Sequence, residues 1–454
     1  MPGRSARARK VQEARSVNEG GPAADAAALI AARRLPALAS ADMVLALSRG
    51  LDLAEGRPMG HAHRVCYIAL ALGRSLELSE PALLSLFYAA LFHDIGVPLV
   101  SVSLTGLTAG DDSLFARSPL RLPESLAGER PPLAFQAIVE AFHQHCLLGA
   151  KSAPPFGLSD EAVEAVRAHH EHWDGTGYPC GLAGREIPLL ARVVATADRM
   201  ESLVSAEPSA LSARRSLIPD LAALSDGVLE PALAQRAQEL CRQDDFWLGL
   251  FADDLADALM AMKPTEETRR DKRHVVRFAE AFSDVVDARS HYTLGHSRQV
   301  AGAAQRLAEA LGFSEEHVES IRVAALLHNI GHFGVPARVL AKPDVLDITE
   351  MQLLRLHPSY SRRILEALPG LEEMARWVEA HHERPDGRGY PEMLGDREIP
   401  VEAKIISVAN VYWALTSKRP YRAALTREDA VKVLRGAGGG QLDAELVGVF
   451  CSLI

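Results

Sequence analysis

Seven histidine and aspartate side chains in the first half of this 454-residue chain are of the types that bind transition metals. They are His61, His93, Asp94, His145, His169, His170 and Asp198. Imidazole nitrogens and carboxylate oxygens together suit iron, manganese, zinc or nickel, and no cysteine motif accompanies them. Because seven ligands exceed the needs of one ion, the set predicts two divalent ions bridged by an aspartate, a centre that activates water for phosphoryl chemistry.

A single histidine on an apolar helix is usually a satisfied core residue, so none of these side chains is informative alone. Their recurrence as pairs at matched spacing favours a metal site for the set as a whole. His63, His143 and His172 lie beside the candidates but have no counterpart in the second half. We therefore expect these three to be surface residues or residues that support the ligands.

The chain contains an internal repeat, which determines its predicted architecture. "HDIG" at 93–96 matches "HNIG" at 328–331, 235 residues later. "HHEHWDGTGYP" at 169–179 matches "HHERPDGRGYP", 212 residues later. The first copy thus has 23 additional residues, which fall in 103–132. The Gly, Pro and Ser content there predicts a long surface loop.

Between the matched motifs, apolar residues recur at helical spacing and alternating strand patterns are almost absent. The sequence predicts an all-α fold of two tandem helical bundles, which can project ligands from several helices into one interior site. The predicted divisions are a disordered tail, a first domain, a helical linker and a second domain, at 1–20, 21–243, 244–270 and 271–454.

Composition narrows the function further. A net charge of −10 argues against general binding of DNA or RNA. Five scattered cysteines without a CxxC motif indicate free thiols in a reducing compartment. No uninterrupted apolar run approaches the roughly 20 residues that span a bilayer, so we expect a cytoplasmic protein with no membrane partner.

The "DGTGYP" and "DGRGYP" segments predict rigid loops that position the preceding histidine pairs, with Asp174 and Asp386 as loop caps. Together, the His-Asp, His-His-Glu and DGxGYP motifs resemble the HD-GYP subgroup of HD-domain metal-dependent phosphohydrolases. The resemblance runs from about residue 40 to the end of the chain. It implies an all-α fold, hydrolysis of cyclic di-GMP or a related cyclic dinucleotide, and a metal that is commonly iron or manganese.

The resemblance assigns the seven residues above as metal ligands, with Asp94 as the bridging and catalytic residue. Some family members place a glutamate four residues before the first histidine to hold a third metal. That position is Arg57 here and Tyr292 in the second copy, so we expect two ions at most.

The second copy has lost both acids. Its matching residues are His296, His328, Asn329, His357, His381, His382 and Asn410. Asparagine is neutral and cannot bridge two cations, so the sequence predicts strongly weakened metal binding there. The alternative is that Asn329 only forms hydrogen bonds within a decayed pocket.

The residues expected to bind the substrate are better kept in the second copy than in the first. The resemblance implies a phosphate-contacting lysine three residues after the HD aspartate, but Val97 and His332 stand there. The second copy keeps the nucleotide-binding segment "RPYR", with Arg419 and Arg422, whereas the first has Glu207 where the first basic residue is expected.

Two functions remain open from the sequence. In the first, the Asp94 copy hydrolyses a cyclic dinucleotide or another phosphoester, and the second copy regulates activity or mediates dimerisation. In the second, the protein is an inactive signalling adaptor that binds cyclic di-GMP. Partners would be a second copy of the chain or a signalling protein.

Overall fold

The computed structural model describes residues 35, 36, 38, 40–54, 60–104, 133–252, 254–264, 272–290, 292–418 and 423–454. Within these ranges the chain is helical, and its only β-type pairings are three isolated bridges. The all-α prediction is confirmed. The predicted tail at 1–20, most of the predicted loop at 103–132, Arg57, Arg419 and Arg422 lie outside the described residues.

The first repeat contains nine α-helices and two 3₁₀ turns in the described ranges. The helices are α1 Ser40–Ala54, α2 His61–Ser75, α3 Glu80–Phe92, α4 Val97–Leu104, α5 Leu133–Ser152, α6 Asp160–Ala168, α7 Leu189–Ser205, α8 Ala210–Leu224 and α9 Pro231–Cys241. The 3₁₀ turns are Pro154–Phe156 and Gly184–Glu186. Two short helices follow at the predicted linker, α10 Asp244–Leu250 and α11 Leu255–Met262, and both pack against α2.

The second repeat follows the same order in the part that the structure describes. Its helices are α12 Lys272–Asp287, α13 His296–Ala310, α14 Glu315–Leu327, α15 Ala337–Leu340, α16 Ile348–Leu354, α17 His357–Leu365, α18 Glu372–Glu379, α19 Val401–Thr416, α20 Arg427–Ala437 and α21 Ala444–Leu453. The 3₁₀ turns are Ile330–Gly334 and Ala380–His382. Helix α13 therefore corresponds to α2, α14 to α3 and α19 to α7.

The two helices that begin with the first histidine of each repeat are capped in the same way. Gly60 and Gly295 precede α2 and α13 with φ of 104° and 71°, a conformation that favours glycine. A buried aspartate from the preceding helix then accepts hydrogen bonds from the first turn. Asp52 accepts from the Ala62 amide at 2.9 Å, and its counterpart Asp287 accepts from the Ser297 amide at 2.8 Å. These caps fix where α2 and α13 start.

The two repeats share one hydrophobic core. Phe156 of the first repeat lies 5.0 Å from Phe92 and 4.9 Å from Phe278 of the second, between ring centroids. Phe282 continues the cluster to Phe333 at 5.6 Å. All five rings are buried, so removing either repeat would expose a large apolar surface. The domain boundaries predicted from the sequence stay a prediction.

A buried cation also joins the repeats. Arg289 is only 1% exposed, and its guanidinium donates to the backbone carbonyls of Ala54 at 3.3 Å and Val335 at 2.9 Å. Ala54 ends α1, whose terminal carbonyls have no partner within the helix. The end of α1 is thereby fixed to the second repeat.

One segment among the described residues, Glu80–Val100, is long and apolar enough to cross a membrane by length and composition. It joins α3 to the start of α4 across the polar His93–Asp94 turn, whereas the sequence was not expected to contain an apolar run of this length. Because 89% of the apolar 18-residue window within it is buried inside the protein, its composition is that of a core helix.

The Phe282→Ala variant should lose about 3–5 kcal/mol of the free energy of unfolding, because it leaves a cavity between the repeats. Urea denaturation followed by circular dichroism measures the loss, with one transition expected for both repeats. The control Leu248→Ala alters a side chain that is 72% exposed and should change stability by less than about 0.5 kcal/mol. Two separate transitions in the wild-type protein would contradict the shared core.

Candidate metal centre

Five helices of the first repeat bring the predicted ligands together. His61 is the first residue of α2, His93 and Asp94 follow the end of α3, and Asp198 lies in α7. His145 lies in α5, and the pair His169–His170 follows α6. All except His170 are buried, and His170 is half-buried. The prediction that these side chains converge agrees with the geometry, although their roles as ligands stay a prediction.

A glycine allows the His93–Asp94 turn to reach α5. A Cβ on Gly96 would lie 1.8 Å from the backbone oxygen of His145, a distance that no side chain tolerates. Gly331 makes the same approach to His357 in the second repeat, also at 1.8 Å. The invariant glycine of the duplicated motif therefore sets the distance between the aspartate and the third histidine.

Hydrogen bonds fix which nitrogen of each ring faces the site. Nδ1 of His93 donates to the backbone oxygen of Ala90 at 2.9 Å, and Nδ1 of His169 donates to that of Val166 at 2.7 Å. A carbonyl oxygen only accepts, so Nδ1 has the proton and Nε2 presents a lone pair when the ring is neutral. Metal-binding histidines are commonly held in this way.

The carboxylate of Asp94 lies between two groups of candidate ligands. Its Oδ2 is 3.0 Å from Nε2 of His93, while its Oδ1 is 3.6 Å from Nε2 of His145 and 3.5 Å from Nε2 of His169. One group is His61, His93 and Asp94, and the other is Asp94, His145, His169 and His170. Ligand atoms within each group lie within 4.8 Å of one another. Asp94 is common to both, as a bridging carboxylate must be.

A second carboxylate orients the first histidine. Glu201, one turn after Asp198 on α7, accepts the Nδ1 proton of His61 at 2.5 Å and binds Arg64 at 2.7 Å. Nε2 of His61 then faces Asp198 at 3.5 Å. Burial would raise the pKa of Glu201, but His61 and Arg64 lower it below its usual range. Glu201 was not among the residues predicted from the sequence, although its i,i+3 spacing from Asp198 places both on one helix face.

The electrostatics of the pocket favour a cation. Burial would lower the pKa of His93, but Asp94 and Asp198 raise it to about 9. Burial likewise would raise the pKa of Asp94, whereas the surrounding imidazoles lower it well below its usual range. The pocket thus stabilises positive charge on a buried ring, and a metal ion would replace that proton.

These observations meet the requirements of a metal centre. The Nε2 atoms of His93 and His169 are buried and form no well-directed hydrogen bond with the described residues, and each faces Asp94 within the distances given above. The donors combine neutral imidazole nitrogen with anionic oxygen, and carboxylate or carbonyl groups hold the rings from behind. The residues therefore fit a pair of divalent ions.

The DGTGYP loop holds the last histidine of the pair. The ring of Tyr178 packs against that of His170 with centroids 4.9 Å apart, and its amide donates to the His170 carbonyl at 3.1 Å. Both carboxylate oxygens of Glu171 accept amides of the loop, from Cys180 at 2.7 Å and Leu182 at 3.0 Å. Asp174 accepts the Thr176 amide at 2.9 Å, as expected of a loop cap.

Three neighbouring histidines have other roles. His63 is buried, and its Nε2 donates to the Leu45 carbonyl at 2.8 Å, so the expectation that it is a surface or ligand-supporting residue is wrong because it anchors α1. His143 stacks on Tyr178 at 5.3 Å and so supports the loop. His172 is half-buried and hydrogen bonds with Thr176 at 3.1 Å.

A cysteine does lie beside the site. The Sγ atom of Cys146 is 3.5 Å from Nε2 of His145, although no cysteine motif accompanies the ligands in the sequence. Burial raises the pKa of this thiol well above its ordinary value, so it stays protonated. Its Sγ donates to the Phe142 carbonyl at 3.8 Å.

The second repeat retains the scaffold and loses the charges. Nε2 of His296 is hydrogen-bonded to Oδ1 of Asn410 at 3.0 Å, which closes the position where the first metal of a pair would lie. Trp413 stands where Glu201 is in the first repeat, and Gln299 where Arg64 is, so the ion pair that orients the first histidine is also absent. His357, His381 and His382 still lie within 4.8 Å of one another at their ligand atoms.

Comparisons with known proteins agree with this arrangement. A family model described as HD domain matches residues 113–226 and 280–446, one segment in each repeat. A 3'3'-cGAMP-specific phosphodiesterase of Vibrio cholerae is 31% identical over 87% of this chain and 90% of its own. A second such phosphodiesterase of that organism is 27% identical over 89% of each.

Other relatives align over a shorter length. A cyclic di-GMP phosphodiesterase of Thermotoga maritima is 35% identical over 39% of this chain and 48% of its own. Among solved structures, the crystal structure of a cyclic GMP-AMP specific phosphodiesterase of V. cholerae superposes with a TM-score of 0.64. It has 27% sequence identity and covers 91% of this chain and 96% of that one.

Replacing Glu201 by glutamine should weaken divalent-metal affinity by about 10- to 100-fold, because the His61 ring loses its charged hydrogen-bond acceptor. Competition with a chelator during titration of Mn²⁺ measures this change. Glu164→Gln is the matched control, since the Glu164 side chain is 47% exposed and pairs with Arg167 on the same helix. Equal affinities for wild-type and Glu201→Gln protein would show that the ring does not need this acceptor.

Proposed function

The chain belongs to the HD-domain family and is a metal-dependent phosphohydrolase, and from this we propose that its first repeat hydrolyses a cyclic dinucleotide at a two-metal centre. The observation that carries the proposal is the placement of Asp94, whose two oxygens face two separate groups of ligands. Hydrolysis adds water across one phosphodiester P–O bond and opens the ring of the substrate.

The two groups divide the proposed ligands between two ions. His61, His93 and Asp198 would hold one ion, and His145, His169 and His170 the other, with Asp94 shared. When bound, such a pair activates water and neutralises the charge of the phosphoryl transition state. Mixed imidazole and carboxylate donors are compatible with iron or manganese, which we propose as the native metals.

The surrounding chain prepares these ligands before a metal binds. Carbonyls at helix ends hold the rings of His93 and His169 with Nε2 turned inward. Asp94 stays anionic because the imidazoles lower its pKa. A rigid, largely buried ligand set reduces the reorganisation needed at each turnover.

We propose 3'3'-cGAMP as the first substrate to test. The two relatives that align over nearly the whole chain are named as 3'3'-cGAMP-specific phosphodiesterases. The relatives named as cyclic di-GMP phosphodiesterases of T. maritima and Xanthomonas campestris align over 39% and 42% of this chain. Because the 3'3'-cGAMP-specific relatives align with both repeats, we favour 3'3'-cGAMP over cyclic di-GMP as the substrate.

One basic side chain is a candidate contact for the substrate. Arg49, Gly60, Arg64 and Glu207 line a cavity of about 560 Å³ beside the start of α2. Arg64 is already paired with Glu201, so Arg49 is the cation that we propose contacts a substrate phosphate. This contact would compensate for Glu207, which stands where the resemblance implies a basic residue.

One observation favours the alternative of an inactive cyclic di-GMP adaptor. Val97, in place of the implied phosphate-contacting lysine, is fully buried with Val100 and Phe142 in a small apolar cluster. It therefore offers no charge to a substrate. Nucleotide binding without turnover in metal-loaded protein, lost in Arg419→Ala and Arg422→Ala variants, would support the adaptor.

The Asp94→Ala variant should lose turnover of 3'3'-cGAMP by about 10³-fold or more, because both ligand groups lose their shared carboxylate. Chromatography of the linear product from Mn²⁺- or Fe²⁺-loaded protein measures the rate, with cyclic di-GMP in parallel. Asn329→Ala changes the matched position in the second repeat and should leave turnover intact. If Asn329→Ala abolished turnover while Asp94→Ala did not, catalysis would belong to the second repeat.

Replacing Arg49 by alanine should raise KM by about tenfold with little change in kcat, because the proposed contact is equally strong in the ground and transition states. Steady-state kinetics separates the two constants. Arg236→Ala, which removes a half-exposed arginine of α9, is the charge-matched control. An unchanged KM in Arg49→Ala would show that Arg49 does not contact the substrate.

A further inference from the structure

Three histidines of the second repeat form a cluster without a carboxylate. His357 begins α17, while His381 and His382 belong to the 3₁₀ turn after α18. Their ligand nitrogens lie within 4.8 Å of one another. The corresponding residues of the first repeat include Asp94 in their group, whereas the second has Asn329 at that position. The sequence alone predicts that such a site binds metal weakly.

The hydrogen bonds of the rings point to a cation between them. Nδ1 of His357 donates to the Leu354 carbonyl at 2.7 Å, and Nδ1 of His381 donates to the Val378 carbonyl at 2.5 Å. Both Nε2 atoms therefore present lone pairs when the rings are neutral. These two atoms lie 3.5 Å apart, an arrangement that is repulsive unless a proton or a metal ion lies between them.

Among the described residues, no carboxylate belongs to this group of ligand atoms. The acids closest in sequence are engaged elsewhere: Glu379 pairs with Arg362, and Glu383 accepts loop amides from Glu392 and Leu394. The cluster therefore offers imidazole nitrogens alone as metal ligands.

The third ring is also held in place. His382 stacks on Tyr390 with centroids 4.8 Å apart and an interplanar angle of 19°, as His170 packs on Tyr178 in the first repeat. The tyrosine loop and the helix-end carbonyls have thus been kept where the acids have been lost. His332 borders the cluster, with its ring centroid 4.6 Å from that of His357.

We propose that His357, His381 and His382 bind a single divalent metal ion of the zinc type, separate from the two ions of the first repeat. Three neutral imidazoles with an open fourth position form a known kind of zinc site. A second ion beside His296 is disfavoured, because Nε2 of His296 is hydrogen-bonded to Asn410 at 3.0 Å. Without carboxylates, the cluster selects zinc, nickel or copper over manganese, which prefers oxygen donors.

The proposal is tested by counting ions bound to full-length, metal-free protein. Equilibrium dialysis against Zn²⁺ or Mn²⁺, followed by elemental analysis, should give one more zinc than manganese per chain. His357→Ala and His381→Ala should each lose one zinc per chain and keep the manganese content of the wild type. His296→Ala, in the half closed by Asn410, is the matched control and should keep the full zinc content.

The outcomes are distinct from those for the proposed function, because no measurement uses turnover. Equal zinc contents in wild type, His357→Ala and His381→Ala would overturn the proposal, as would a zinc lost equally from His296→Ala. Circular dichroism establishes that the variants are folded. If an alanine variant unfolds, His381→Gln, which keeps the side chain's polarity and approximate size, replaces it with the same expected loss of one zinc.

Discussion

A histidine just beyond the last turn of a helix donates its Nδ1 proton to the carbonyl three residues earlier, and both sites depend on this bond. His93, His169, His328 and His381 all do so, at 2.5–2.9 Å. The last carbonyls of a helix have no hydrogen-bond partner within it. The bond from Nδ1 therefore satisfies one of these carbonyls and at the same time orients the imidazole ring. Each Nε2 is consequently directed into the bundle before any ion arrives.

With this shared geometry, charge distinguishes the two repeats. In the first, carboxylates raise the pKa of His93 to about 9. In the second, burial and the neighbouring His381 and His296 lower the pKa of the matched His328 well below its ordinary value. Replacing two acids by amides therefore changes a pocket that stabilises positive charge into one of neutral lone pairs, while the backbone frame is retained.

Much of this could be read from the sequence because the chain is duplicated. Matched His-Asp and His-His motifs located the convergent side chains, and helical spacing predicted the all-α fold. Glu201 and Asp52 were not found, since an isolated acid on a helix has no motif and its role depends on which helix packs beside it. The proposed zinc site at His357, His381 and His382 could not be predicted for a related reason. The sequence shows that the acids are lost, but it does not show where the lone pairs of the ring nitrogens point.

The hydrophobic core that the two repeats share could not be predicted from the sequence either. Phe156 and Phe282 read as ordinary apolar residues of separate units, and only the packing shows that their rings are 5.9 Å apart. Apolar patterning reports that a face is buried but not which partner covers it. The repeat in the sequence suggested two independent bundles, whereas the aromatic cluster and Arg289 hold them as one body.

Trp413 makes the divergence of the second repeat hard to reverse. Its indole nitrogen is buried without a hydrogen-bond partner among the described residues, in the place where Glu201 orients a ring in the first repeat. Restoring aspartate at Asn329 would leave His296 tied to Asn410 and without an acidic support. Several substitutions would have to be made together to restore a two-ion centre in the second repeat. Single substitutions therefore leave the asymmetry between the repeats in place.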